Sequence, residues 1–126
     1  MKITPVLVVE EIERSLPFWV ERMGFSKAVE VPEGDRLGFV ILTRDGAELM
    51  LQTLTSVRND TPQLAPQGRA NDASLFIEVD NFEDVLRRLQ TYEILLPERV
   101  AFYGMREIGV REPNGYAVIF AARAAA

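Results

Sequence analysis

The feature that most constrains the fold of this chain is an internal duplication. Displacing the sequence by 70 positions lays Val9 on Val79, Ile12 on Phe82, Glu13 on Glu83, Leu16 on Leu86 and Trp19 on Leu89. Further along, at a displacement of 69, Asp45-Gly46 falls on Asn114-Gly115, followed by Leu49 over Val118, Met50 over Ile119 and Leu51 over Phe120. Each copy reads as strand, helix and hairpin, and one copy alone has too few strands to bury both of its faces. Two modules, 1–53 and 74–126, are therefore expected to build a single domain over 1–126, joined by a linker at 54–73.

Local patterns support this division. Ile3 to Val9 is apolar and β-branched and reads as a strand. Ile12, Leu16, Trp19 and Met23 then recur at helical spacing, with Glu13, Arg14, Glu21 and Arg22 on the wet side and Gly24 suited to the left-handed position that ends a helix. Pro17 interrupts that helix and predicts an adjusted turn. Ala28 to Val31 reads as a short strand and Pro32 to Asp35 as a turn, before a hairpin of Leu37–Thr43 and Ala47–Thr53 around Asp45-Gly46. That turn opposes Arg44 to Ala47, Leu42 to Leu49, Ile41 to Met50 and Val40 to Leu51. One face of the hairpin then carries only aliphatic groups, and the other mixes Phe39, Ile41, Thr43, Glu48, Met50 and Gln52. The first face calls for a helix and the second for a sheltered partner that is not wholly apolar.

From Leu54 to Ala73 the chain turns polar and proline-rich without usable periodicity, which reads as a passage between modules or a lid. Ser74–Val79 then reads as a strand and Asn81–Leu89 as a helix, with Asp80 or Asn81 as its N-cap. Trp19 reads as core packing, the Glu83-Asp84 and Arg87-Arg88 pairs as a solvated helix face, and Ala121–Ala126 as a frayed tail.

Composition closes off whole classes of chemistry. The chain has no cysteine and no histidine, which excludes disulfides, thiolate nucleophiles, Ser-His-Asp triads and imidazole metal ligands. Acid–base work would fall to Asp, Glu, Lys or Tyr, and any metal would be a hard ion held by oxygens. A formal charge of -5 disfavours nucleic acid and anionic membrane surfaces. With no signal-peptide pattern and no window long enough to span a bilayer, a cytoplasmic protein is expected.

The strings Val8-Val9-Glu10-Glu11-Ile12-Glu13-Arg14-Ser15-Leu16-Pro17-Phe18-Trp19, Met23-Gly24-Phe25, Phe76-Ile77-Glu78-Val79-Asp80 and Arg111-Glu112-Pro113-Asn114-Gly115-Tyr116 resemble the vicinal oxygen chelate superfamily. That group includes glyoxalase I, bleomycin resistance proteins, extradiol dioxygenases and methylmalonyl-CoA epimerase. The resemblance implies an α+β fold of two tandem βαβββ modules, a cupped half-barrel sheet with helices on the convex face. It also implies metal-ligand slots at Thr4, Met50, Ser74 and Ile119, none of which holds a convincing ligand for a divalent ion. No metal and no cofactor are expected, as in the metal-free bleomycin-resistance-like branch.

By strand parity the ligand-binding lining comprises Thr4, Val8, Phe39, Ile41, Glu48, Met50, Gln52, Ser74, Phe76, Glu78 and Ile119, with Val6 and Ala117 beside them. Tyr103 and Met105 join it if the stretch from Phe102 to Ile108 faces the cleft; a surface strand with Arg106 outward is the other reading. A mainly apolar lining with two carboxylates, Glu48 and Glu78, points to sequestration of a hydrophobic or cationic small molecule. The alternatives are a metal-independent lyase or isomerase using one of these carboxylates as general base, and a dimerisation module whose cleft is plugged by Phe39, Phe76 and Met50. A homodimer is implied by the resemblance, and no nucleic acid or membrane partner is expected.

Overall fold

A computed structural model of the protein describes residues 1–66 and 73–124. The chain divides into two compact units, residues 1–70 and 71–126.

The first unit runs β1 (Val6–Val9), α1 (Ile12–Leu16), a π-helical stretch (Pro17–Arg22), β2 (Ser26–Glu33), β3 (Arg36–Arg44), β4 (Ala47–Thr53) and α2 (Leu54–Asp60), followed by a short 3-10 turn (Pro62–Leu64). Its sheet has the order β1-β4-β3-β2, with β1 parallel to β4 and the other pairs antiparallel. The hairpin register is the expected one, Arg44 on Ala47, Leu42 on Leu49, Ile41 on Met50 and Val40 on Leu51. Asp45 (φ 51°) and Gly46 (φ 83°) both take positive φ, which a two-residue type I′ turn requires. Val40, Leu42, Leu49 and Leu51 are buried, and with Leu7 and Val9 they form the sheet's contribution to the core. Trp19 is fully buried and meets Phe18 and Phe25 edge-on at 4.9 and 5.3 Å.

Four expectations are corrected here. The first strand begins at Val6 rather than Ile3. The first helix is α-helical only to Leu16; Pro17 has no N–H to donate to the preceding turn, and the coil widens to π geometry, ending with Met23 N–H on Phe18 O at 2.9 Å. Glu13 does not sit on the wet side, since its Oε2 accepts the Leu37 N–H at 2.7 Å and ties α1 to β3. The stretch from Leu54 opens with a helix, α2, because the Thr53 hydroxyl accepts the Ser56 N–H at 3.1 Å and Val57 is buried. The remainder of that stretch, 67–72, lies outside the described residues. Gly24 takes the expected left-handed conformation, φ 75°, where the helix ends.

The second unit repeats the topology: β5 (Ser74–Glu78), α3 (Phe82–Arg88), β6 (Ile94–Val100), β7 (Met105–Arg111) and β8 (Ala117–Arg123), in the order β5-β8-β7-β6. The duplication reaches the register itself. Val6 pairs with Met50 and Val8 with Gln52 in the first unit; Phe76 pairs with Ile119 and Glu78 with Ala121 in the second. Asn81 is the N-cap of α3, its Oδ1 accepting the Asp84 N–H at 3.1 Å. The second hairpin has a three-residue loop, Pro113-Asn114-Gly115, closed by Glu112 N–H on Tyr116 O at 2.9 Å, with Gly115 at φ 97°. The tail expected from Ala121 is strand as far as Arg123, because Ala121 and Ala122 pair with Glu107 and Arg106 and are buried; residues 125–126 lie outside the described residues. Together the two units form an α+β fold of two tandem βαβββ modules. Among the described residues no helix is long and apolar enough to cross a membrane.

Candidate functional site

Each sheet uses one face for its helix and turns the other away from it. The far face of the first sheet is built in rows by the strand register. One row across β1, β4, β3 and β2 is Val6, Met50, Ile41 and Val29; the next is Val8, Gln52, Phe39 and Val31. Val8, Phe39, Ile41, Met50 and Gln52 are half-buried, whereas Val6, Val29 and Val31 are exposed. This is the mixed, partly sheltered surface that the alternation of the hairpin predicts. Glu48 stands at the end of it, its carboxylate paired with the Lys2 ammonium, and Gln52 Nε2 donates to Ser56 Oγ at 3.1 Å. Thr4 is half-buried just ahead of β1.

The corresponding rows of the second sheet are Phe76, Ile119, Gly109 and Leu96, then Glu78, Ala121, Glu107 and Arg99. Ser74, Phe76 and Glu78 are exposed and Ile119 half-buried. The apolar row is kept between the two copies. The other row has changed from neutral to charged.

Its central member, Glu107, is only 3% exposed. Arg99 Nε and Nη2 donate to its Oε1, each at 2.7 Å, and the Tyr103 hydroxyl donates to its Oε2 at 2.6 Å. The Tyr103 hydrogen bond and the Arg99 guanidinium hold the Glu107 carboxyl below its ordinary pKa, and the same bond raises the Tyr103 phenol above its own. Tyr103 lies in the β6–β7 turn and Met105 is half-buried at the start of β7, so the structure brings both beside Glu107. Arg106 goes to the helix side: it pairs with Glu83 and Glu98 at 2.8 and 3.0 Å and lies over the Phe82 ring. Sequence reasoning named Tyr103 and Met105 but missed Glu107 and Arg99. Parity from Met105 would have found Glu107; Arg99 needed the register of β6, which carries two irregularities.

The metal slots implied by the resemblance do not fit a metal. Thr4 and Ser74 offer neutral hydroxyls, Met50 a thioether and Ile119 no donor, and none brings charge to offset a cation's lost hydration. Among the described residues no three carboxylates converge on a point that could hold an ion.

Comparison with curated proteins yields no significant match. Solved structures do match over nearly the whole chain. A glyoxalase/bleomycin resistance protein/dioxygenase from Nocardioides is 22% identical with a TM-score of 0.73, covering 98% of this chain and 84% of its own. TioX from Micromonospora sp. ML1 is 16% identical with a TM-score of 0.79, covering 98% of each chain. A glyoxalase-related enzyme from Fulvimarina pelagi is 19% identical with a TM-score of 0.77, covering 98% of this chain and 88% of its own. At these identities the likeness speaks to the fold. A family model matches residues 3–120, so the chain belongs to the Glyoxalase/Bleomycin resistance protein/Dioxygenase superfamily, as its duplicated βαβββ register already indicated.

Proposed function

We propose that this chain is a small-molecule binding protein that sequesters an apolar, amine-bearing ligand without a metal, on a sheet face turned away from its helix. The carrying observation is the far face of the first sheet, where Val8, Phe39, Ile41, Met50 and Gln52 stand half-buried in adjacent rows. Partly sheltered apolar side chains with a few polar groups among them have the character of a ligand surface. The absence of charged donors at Thr4, Met50, Ser74 and Ile119 supports the metal-free part of the reading.

The preference for an amine rests on Glu78, which shares the far face of the second sheet with Phe76 and Ile119. Glu48 is already engaged by Lys2, whereas Glu78 is exposed, with no ion-pair partner among the described residues. The working form in this reading is a cytoplasmic homodimer, for which sedimentation velocity is the check.

A thermal-shift panel of alkylamines of increasing chain length, each with EDTA, tests the proposal. Tm is expected to rise with chain length, and Glu78→Gln to reduce the rise for amines but not for the matched alcohols. Equal stabilisation by alcohols and amines in the wild type would remove the amine preference, and turnover of an added compound abolished by Glu78→Gln would make the protein an enzyme.

A further inference from the structure

Glu107 and Arg99, in the charged row of the second sheet, carry a chemistry the amine reading does not use. Where the first unit has Val8, Gln52, Phe39 and Val31, the second has Glu78, Ala121, Glu107 and Arg99. A carboxylate in the place of Phe39, withdrawn from water, is costly unless every lone pair is met, and an apolar residue of similar volume would serve packing at least as well. Here both oxygens are bonded, and the bonding fixes its partners in particular orientations.

Arg99 spends one edge of its guanidinium, Nε and Nη2, on Glu107 Oε1. The end bearing Nη1 and the outer Nη2 proton is left, with no partner for Nη1 among the described residues, on a side chain 55% exposed. Two parallel N–H donors at that end match the two oxygens of a carboxylate, and an anchored guanidinium gives up less freedom on binding than a free one. The Tyr103 hydroxyl donates to Glu107 Oε2, which anchors its ring on the same carboxylate while leaving it 48% exposed. Phe102, 99% exposed, meets Tyr103 edge-on at 5.1 Å. The turn that holds both is closed by Ala101 N–H on Met105 O at 2.8 Å and by Gly104 at φ 84°. A guanidinium fork and an exposed aromatic side chain anchored on the same carboxylate suit a planar, ring-bearing anion better than a tetrahedral one.

We propose that Arg99, oriented by Glu107, is an oxyanion site that takes an aromatic carboxylate, with the ligand's ring against Tyr103 and Phe102. Glu107 is a positioning residue in this site and does not touch the ligand. The site is independent of the amine preference assigned to Glu78, which lies on the opposite edge strand.

The test is a titration of the full 15N-labelled chain with benzoate, followed by NMR, with benzylamine and inorganic phosphate as parallel probes. Benzoate is expected to move the Arg99 side-chain Nε–H resonance and the backbone amides of 99–107 along a saturable curve. Arg99→Gln is expected to weaken binding at least about tenfold, the loss of a charge-assisted pair of bonds. Arg99→Lys, which keeps the charge without the fork, is expected to fall between and carries the test if the glutamine variant is poorly folded. Unmoved resonances, or equal shifts in Arg99→Gln, would overturn the site, and phosphate binding as tightly as benzoate would overturn the carboxylate assignment. Failure of benzylamine to bind bears only on the amine reading.

Discussion

At the scale of single residues, Glu107 shows what a sequence conceals and what a register reveals. In Met105-Arg106-Glu107-Ile108 it looks like one more charge on a surface strand, whereas in the sheet it is buried between Arg99 and Tyr103. The sheet face a side chain takes was legible where strand parity sufficed, at Phe39, Met50 or Glu78. A side chain's partners were illegible where they come from a neighbouring strand of irregular register, as for Arg99, or from the chain's start, as for Lys2 on Glu48. Glu107 and Tyr103 also give the protein a pH signature. The Glu107 carboxyl lies below its ordinary 4.5, so its contribution to stability is complete above that value and is lost as pH falls through the folded pKa. The Tyr103 phenol lies above its ordinary 10.0, so its contribution is complete below that value and is lost as pH rises through the folded pKa. Glu107→Gln is therefore expected to flatten both limbs of the stability profile measured by urea unfolding. The acid limb should retain a part from Asp84, whose carboxyl is lowered by Arg88 and Arg87.

At the scale of elements, the hairpin of β3 and β4 was readable down to its register because Asp-Gly between alternating runs admits one two-residue turn. Gly46→Ala would force a side chain into φ 83° and is expected to cost about 1 kcal/mol or more, seen as a lower urea midpoint with unchanged slope. The helix α2 was not readable, since Leu54–Asp60 has a single buried apolar residue, Val57, and too few turns to show a period. What holds its start is the Thr53 hydroxyl, so Thr53→Ala is expected to cost about 1 kcal/mol, with Thr53→Ser close to wild type in the same denaturation. The π-helical stretch belongs between these cases. Pro17 predicted a disturbed turn, but the widening runs through Arg22 because Phe18 and Trp19 are both fully buried there and fix the faces the coil must present. Trp19→Ala is expected to cost about 3–5 kcal/mol, measured by the same unfolding.

At the scale of the whole molecule, the duplication was the most legible fact, and it extends from residue spacing to strand order and pairing register in both units. What it leaves open is where the copies have diverged, and divergence decides function. The apolar row persists in both sheets, the next row has become charged in the second, and the four slots that the family uses for metal hold no charged donor in either. The function proposed above expects the chain to bind its ligand in the absence of any ion. Isothermal titration of the EDTA-treated protein with dodecylamine measures this directly. Saturable heat that is unchanged when Mn, Ni, Zn or Mg is restored is the expected result. Binding that appears only after one of those ions is added would contradict it.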